Sequence, residues 1–317
     1  MRIGFRFFSF TLLPQDSAYS KLMIKVPLHT HFPDAQMTTF FLADASIRGA
    51  VFDGRAVVAQ MQAQHRLGLL ETLCLGHACL CASLLIPMMK GYERAILRYE
   101  TDGKIPGFSV EASSEGWVRG YLFDNTITLD KPLESWDLAP FFGEGILSIT
   151  RIKQDEAQPI TGTIAITHKN IAQDLTEYFL KSEQTQTAIN SSIKFDKNGN
   201  LETASALILQ AMPGADTEVL DAATADFAAI GSLSNFIAKQ ANLDACIQTA
   251  FTDLSPEILL SRTIQFNCPC SRELFLSKIK LLPQADRAKL QEDEETEVVC
   301  THCASVYRYK KSEIETI

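Results

Sequence analysis

The sequence has no internal repeat and no low-complexity tract, which excludes solenoid and array architectures. It lacks the Gly-x-x-x-x-Gly-Lys-Ser/Thr loop that cradles nucleotide phosphates, so no ATP-driven cycle of that type is expected. No Ser/His/Asp set and no carboxylate pair stands out, and the chain is not expected to be an enzyme. Positive charge is short: 29 Lys and Arg against 38 Asp and Glu give a net charge of −9. That balance lacks the broad electrostatic footprint of a duplex nucleic-acid binder and leaves room only for a local basic patch.

A long uncharged apolar run is also missing. The most apolar stretch, Leu67 to Met89, carries Glu71, Thr72 and His77 and ends near Pro87. A membrane span wants roughly 20 apolar residues with few charges or none, so this stretch reads as a helix buried in a protein core. The first residues, Met1 to Pro14, resemble a signal peptide only faintly. Arg6 interrupts their apolar run and no small-residue cleavage site follows. They read as an extension, with Met23 as an alternative start, and a cytoplasmic location is expected. In that compartment thiols stay reduced, and clustered cysteines bind metal or sense oxidants more often than they staple a fold.

With 317 residues, 46% hydrophobic and 21% charged, the chain has an ordinary globular balance and room for one large domain plus a small one. The fold class expected is α+β: a mixed α/β body, a helical linker and a small zinc-ribbon-like C-terminal domain. The boundaries expected are an N-terminal extension over 1–37, a core over 38–215, a linker over 216–262 and a cysteine domain over 263–317.

Within the body, Val57, Val58 and Met61 mark a helical face, and the Leu67–Met89 run supplies a central helix. Arg94 to Tyr99 reads as a strand. Phe108–Ala112 and Trp117–Phe123 flank Ser113-Ser-Glu-Gly116 as a hairpin. Further strands are expected at Ile146–Ile152 and Ile160–Thr167, a helix over Asn170–Ser182, and a hairpin of Ser192–Phe195 with Leu201–Ala211. From Asp216 to about Thr249 the chain is alanine-rich and reads as helical.

Four of the eight cysteines lie in the last 50 residues: Cys268 and Cys270 as C-x-C, then Cys300 and Cys303 as C-x-x-C. This pattern can bring four thiolates to one tetrahedral Zn²⁺. Such a centre carries a formal charge of −2 and needs compensation, for which Arg272, Lys278 and Arg308 are near in sequence. His302, inside the knuckle, is a fifth candidate ligand but is expected to be exposed. Around the cysteines, Ser271 and Glu273 can start a helix with Phe275, Ile279 and Leu282 on one face, and Pro283 suits the start of a second. Glu297–Val299 and Val306–Tyr309 read as strands flanking the knuckle.

The tail is too short to build much core of its own. Structural zinc contributes about 10–16 kcal/mol in comparable peptides, so losing it should unfold the tail. An oxidant can do this directly, because a disulfide sulfur is no longer a thiolate ligand. The close pairs can form Cys268–Cys270 and Cys300–Cys303. Both loops are very short and restrain the unfolded chain little, and the C-x-C ring is tight and readily reduced. Residue chemistry therefore allows an oxidant-driven folding switch, and equally a permanent structural zinc site.

The tail resembles the heat shock protein 33 family of redox-regulated holdase chaperones. The matching stretches are Ile264-Gln-Phe-Asn-Cys-Pro-Cys-Ser-Arg-Glu273 and Val298-Val-Cys-Thr-His-Cys-Ala-Ser-Val-Tyr307. Body landmarks follow in order: Ser46-Ile-Arg48, His65, Leu75-Gly76, Thr101-Asp-Gly103, Val118-Arg-Gly-Tyr121, Gly143-Glu-Gly145, Ser182-Glu-Gln184 and Leu209-Gln-Ala-Met-Pro-Gly214. Leu274 stands where the family has arginine, Ala304 where it has glycine, and Ala204-Ser-Ala-Leu207 lacks the usual glycines. The resemblance implies one Zn²⁺ per reduced chain on Cys268, Cys270, Cys300 and Cys303. Oxidation would then form the two disulfides, expel zinc and loosen the linker, with unfolding client proteins as partners and a homodimer as the active form. It implies neither a nucleic-acid nor a membrane partner.

Cys74, His77, Cys79 and Cys81 also invite a metal, but their Leu, Ala and Ile surroundings read as buried packing. Cys246 reads as a packed helical thiol. Trp117 and Trp136 read as core or sheet residues, and Glu292 to Glu295 as a solvated turn. Two other functions compete with the chaperone. One is a constitutive zinc-ribbon adaptor for protein or nucleic acid, carried by Arg308, Lys310 and Lys311. The other is a thiol–disulfide enzyme, which needs a low-pKa nucleophile.

Overall fold

A computed structural model describes residues 34–127, 135–154, 156 and 158–316. The body opens with strands β1 (Ala35–Leu42) and β2 (Ile47–Asp53), then helices α1 (Arg55–His65) and α2 (Leu69–Ser83). Strands β3 (Arg94–Thr101), β4 (Gly107–Ser113), β5 (Trp117–Leu122), β6 (Gly145–Ile152) and β7 (Ile160–Ala165) follow. Helix α3 (Ile171–Ser182) leads to the hairpin β8 (Thr187–Phe195) and β9 (Leu201–Ala211). Next come α4 (Thr217–Ala229), α5 (Leu233–Ile237), α6 (Leu243–Ala250) and strand β10 (Glu257–Phe266). The tail holds α7 (Arg272–Lys280), α8 (Gln284–Leu290), β11 (Glu295–Val299), β12 (Val306–Lys310) and α9 (Lys311–Glu315).

Ten strands form one sheet in the order β7-β6-β3-β4-β5-β10-β1-β2-β9-β8. Helix α2 packs against β3, β4 and β5 and also against β8 and β9 from the other end, so the sheet wraps around it. This explains the apolar run in the sequence. A helix enclosed on all sides is apolar all round, and almost every residue from Leu70 to Ser83 is buried. Among the described residues, Leu69–Met88 is the stretch long and apolar enough to cross a membrane, and it lies inside the protein.

Beneath the sheet, the Asp174 side chain is fully buried. It accepts from the Tyr99 hydroxyl at 2.8 Å and from the backbone N–H groups of Thr167, His168 and Asn170 at 2.9–3.1 Å. A buried carboxylate is tolerated only with such a full set of donors.

Strands β1, β2 and β9 are buried on both faces. Met37, Ala50, Phe52, Ala206 and Ile208 point to the core around α1 and α2. The alternate residues Phe40, Leu42, Ile47, Val51, Leu207 and Leu209 point outward and are covered by helices α4 to α6 and the turn that follows them, through Leu233, Ile247, Phe251 and Leu254. The Phe40 and Phe251 rings stack with centroids 5.8 Å apart. Covering a Phe or Leu side chain stabilises by about 1.5–3 kcal/mol, so the linker helices are a lid over a genuinely apolar surface.

Three readings of the sequence need correction. The extension expected over 1–37 lies mostly outside the described residues, and its last residues, Ala35 to Met37, already belong to β1. The linker expected over 216–262 is helical as far as Ala250, where its alanine-rich stretch ends, but turns into strand at Glu257, because β10 pairs antiparallel with β1 along Ala35–Phe41. Trp136 is not a core residue: it is half exposed and lies 5.2 Å from the Phe195 ring.

Candidate metal centre

Each cysteine is delivered by a local element with its own cause. β10 ends at Phe266, and its amide ladder continues for one residue as Asn267 N–H donates to Val118 O at 3.0 Å. Cys268 and Cys270 follow. Ser271 then caps α7, its hydroxyl accepting from Leu274 N–H at 3.1 Å. The second pair sits in the turn between β11 and β12. There Cys300 N–H donates to Ser305 O at 2.8 Å and Ala304 N–H to Cys300 O at 2.7 Å.

The four sulfurs lie within 4.8 Å of one another, with Cys268 Sγ 3.8 Å from Cys300 Sγ and Cys270 Sγ 3.4 Å from Cys303 Sγ. A tetrahedral site with metal–sulfur bonds of about 2.3 Å spaces its sulfurs by about 3.8 Å. The four cysteines therefore fit one metal ion, and all eight cysteines of the chain are free thiols. Tyr307 supports the site: its hydroxyl lies 3.0 Å from Cys270 O and 3.1 Å from Cys270 Sγ. Cys303 Sγ lies 3.2 Å from Ser305 Oγ.

The charge compensation differs from the sequence expectation. Arg272 pairs with Glu313 at 2.7 Å and lies over the Tyr309 ring, and Arg308 pairs with Glu297 at 3.2 Å. Among the described residues, the cation that reaches sulfur is Arg119 of β5, whose Nη1 donates to Cys268 Sγ at 3.2 Å. Hydrogen bonds from Cys300, from Cys303 and from Arg119 hold the Cys268 thiol well below its ordinary range. Donating that bond pushes the Cys300 thiol well up, and Cys303 rises to about 11, Cys268 again being the largest cause.

His302 is half-buried rather than exposed, because the body covers it. Its ring meets the Tyr121 ring edge-on at 5.2 Å, and its carbonyl lies 3.2 Å from His65 Nε2. Among the described residues, the cysteines alone form a group close enough to share a metal, and His302 lies outside that group. The tail's own core is small, with Ile279, Tyr309 and Ile314 fully packed. Cys300 and Cys303 instead belong to the main core of the body. The cysteine cluster is thus part of the join between tail and body.

The other cysteines behave as packed thiols. Burial pushes the Cys74 and Cys79 thiols far up, Cys81 to about 12 and Cys246 to about 11. His77 Nδ1 lies 2.9 Å from Ser191 Oγ, and burial lowers its pKa to about 4.

Comparison with known proteins gives one consistent result. The family model described as Hsp33 protein matches residues 35–310. A 33 kDa chaperonin of Streptococcus pyogenes serotype M12 (strain MGAS2096) is 28% identical over 274 residues, 86% of this chain and 94% of that protein. The 33 kDa chaperonin of serotype M1 is 27% identical over the same span. The crystal structure of the 33 kDa chaperonin (heat shock protein 33 homolog) of Thermotoga maritima superposes with a TM-score of 0.82. It covers 90% of this chain and 97% of its own at 24% identity.

Proposed function

The chain belongs to the Hsp33 family of chaperones, and from that premise we propose that it is an ATP-independent holdase switched on by oxidation of Cys268, Cys270, Cys300 and Cys303. The observation that carries this reading is the placement of four free thiols around one metal-sized space at the join between body and tail.

The metal proposed is one Zn²⁺ per reduced chain; bound, it supplies the cohesion that the tail's small core cannot. In each pair, two thiolates, two protons and one peroxide give one disulfide and two waters. Cysteines joined in this way no longer ligate. The pairing proposed is Cys268–Cys270 with Cys300–Cys303, although in the folded site Cys268 lies 3.8 Å from Cys300 and Cys270 lies 3.4 Å from Cys303. The close pairs win if the tail opens before the second sulfur closes, because their loops are the shortest.

Loss of the tail frees β10 at one end, and with it the helices α4 to α6. The surface they cover, Phe40, Leu42, Ile47, Val51, Leu207 and Leu209, is the apolar face offered to unfolding client proteins. A released linker adapts to many clients because it orders only on binding. Oxidised chains are proposed to pair as homodimers, and the cytoplasm is the proposed location, where the resting thiols are kept reduced.

The test is zinc release with disulfide mapping. Peroxide with mild heat should release about one zinc per chain, and peptide mapping should return Cys268–Cys270 and Cys300–Cys303. Zinc retained after free thiols have oxidised, or crosswise disulfides with the tail still folded, would refute the switch.

A further inference from the structure

We propose that Arg119 is the positioning residue that ties the thiolate charge of Cys268 to the seating of the tail on the body. The inference rests on the metal–thiolate reading above, but it concerns a residue of the body, 149 positions away from the cysteine it touches.

The register of the sheet builds the contact. Arg119 on β5 lies directly opposite Glu111 on β4. Its Nε and Nη2 donate to Glu111 Oε2 at 2.9 and 2.6 Å, which leaves Nη1 aimed at Cys268 Sγ. Glu111 is buried and is fixed from its other side by Arg94, whose Nη1 donates to Oε1 at 2.8 Å. The Arg119 guanidinium also lies 5.4 Å from the centre of the Trp117 ring. Held at Glu111 and over Trp117, Arg119 cannot follow the sulfur if the tail shifts.

A fixed cation of this kind discriminates between the two states of its partner. A thiolate accepts a charge-assisted hydrogen bond, whereas a disulfide sulfur is neutral and a poor acceptor. A four-thiolate site with a divalent metal carries a formal charge of −2, and Arg119 supplies compensation from the body rather than from the tail. Outer-sphere partners of metal ligands typically change affinity by about 10–100-fold when removed.

The contact also lies where it can be transmitted. Cys268 stands two residues beyond Phe266, the last residue of β10. Only the end of β10 joins it to β5, through the pairs Gln265 with Trp117 and Phe266 with Val118. The rest of the strand runs along β1, whose outer face the linker helices cover. β10 is therefore the single strand joining the two halves of the sheet, and Arg119 pins the cysteine at its end.

The test compares R119M with R94M, both as full-length reduced protein. Arg94 holds the same carboxylate but makes no bond to sulfur, so it controls for disturbance of the Glu111 cluster. Zinc affinity is measured by competition with a chromogenic chelator without oxidant, and amide exchange is followed at Gln265 and Asn267. R119M should bind zinc at least ten-fold more weakly and exchange faster at both amides, while R94M stays within two-fold of the parent. Parental affinity in R119M, or equal loss in R94M, would overturn the role of Arg119. Should R119M not fold, R119Q is measured with the same two outcomes. Because no oxidant and no client enters, the result stands apart from the redox switch: a parent that fails the peroxide test can still pass this one.

Discussion

His65, the last residue of α1, places Nε2 3.2 Å from the carbonyl oxygen of His302 in the cysteine knuckle, 237 residues further on. A carbonyl can only accept, so His65 Nε2 carries the hydrogen. The ring also meets Phe266 edge-on with centroids 6.1 Å apart, which fixes it against the end of β10. Burial lowers the pKa of His65, against the pull of the His302 and Gly120 backbone groups, so the neutral ring is favoured.

Removing this bond should loosen the tail without unfolding the body. A net hydrogen bond contributes roughly 1 kcal/mol. His65→Ala should therefore raise hydrogen exchange across Cys300–Val306 by about five- to ten-fold, with the amides of α2 unchanged. Exchange at parental rates in the knuckle would show that His65 does not hold it.

Ala304 occupies the left-handed region, with φ of 56°. This costs an L-residue about 1–2 kcal/mol, and glycine avoids it. After allowance for the greater freedom of glycine in the unfolded chain, Ala304→Gly should stabilise the reduced tail by about 0.5–1 kcal/mol. Chelator-induced unfolding of the tail would then require more chelator; a lower requirement would contradict the strain argument.

His77 gives the body a pH dependence of known sign. Its folded pKa is about 4, below the ordinary 6.5. The unfolded chain takes up a proton near pH 6.5 that the folded chain refuses until about pH 4. Its contribution is complete above that window and is lost as pH falls through it, about 3 kcal/mol in all. In urea melts from pH 7 to pH 4, His77→Gln should lose less stability than the parent. Parallel curves would mean that His77 is not buried as a neutral ring.

Thiol reactivity should divide the cysteines sharply. In metal-free reduced protein at neutral pH, iodoacetamide should modify the four tail cysteines first, since loss of the metal opens the tail and exposes them. Cys74, Cys79 and Cys81, fully buried with raised pKa, should stay unmodified until denaturant is added. Early labelling on α2, read by peptide mass mapping, would contradict that packing.

The sequence made some of this legible and hid the rest for physical reasons. The β4–β5 hairpin announces itself through Gly116, which takes φ of 89° in its turn, and α3 through the spacing of Ile171, Leu175 and Phe179. The β1–β2 hairpin does not, because its turn is Ala43, Asp44 and Ala45, all with positive φ and none of them glycine or proline. Strand β10 hides because Leu259 and Leu260 are both exposed, which spoils the alternation a strand would show. The cysteine set follows from local spacing. Arg119 and His65 do not, since their partners lie 149 and 237 residues away and only the sheet brings them together. Both fall in the stretches that carry the family resemblance, but nothing in one sequence distinguishes a residue that packs from one that touches sulfur.

The most direct test of the account is light scattering from a thermally unfolding client, with reduced zinc-loaded protein in one cuvette and peroxide-treated protein in the other. Suppression by the oxidised form alone is the predicted result. Equal suppression by both forms would contradict it, making the metal purely structural and the chaperone constitutive.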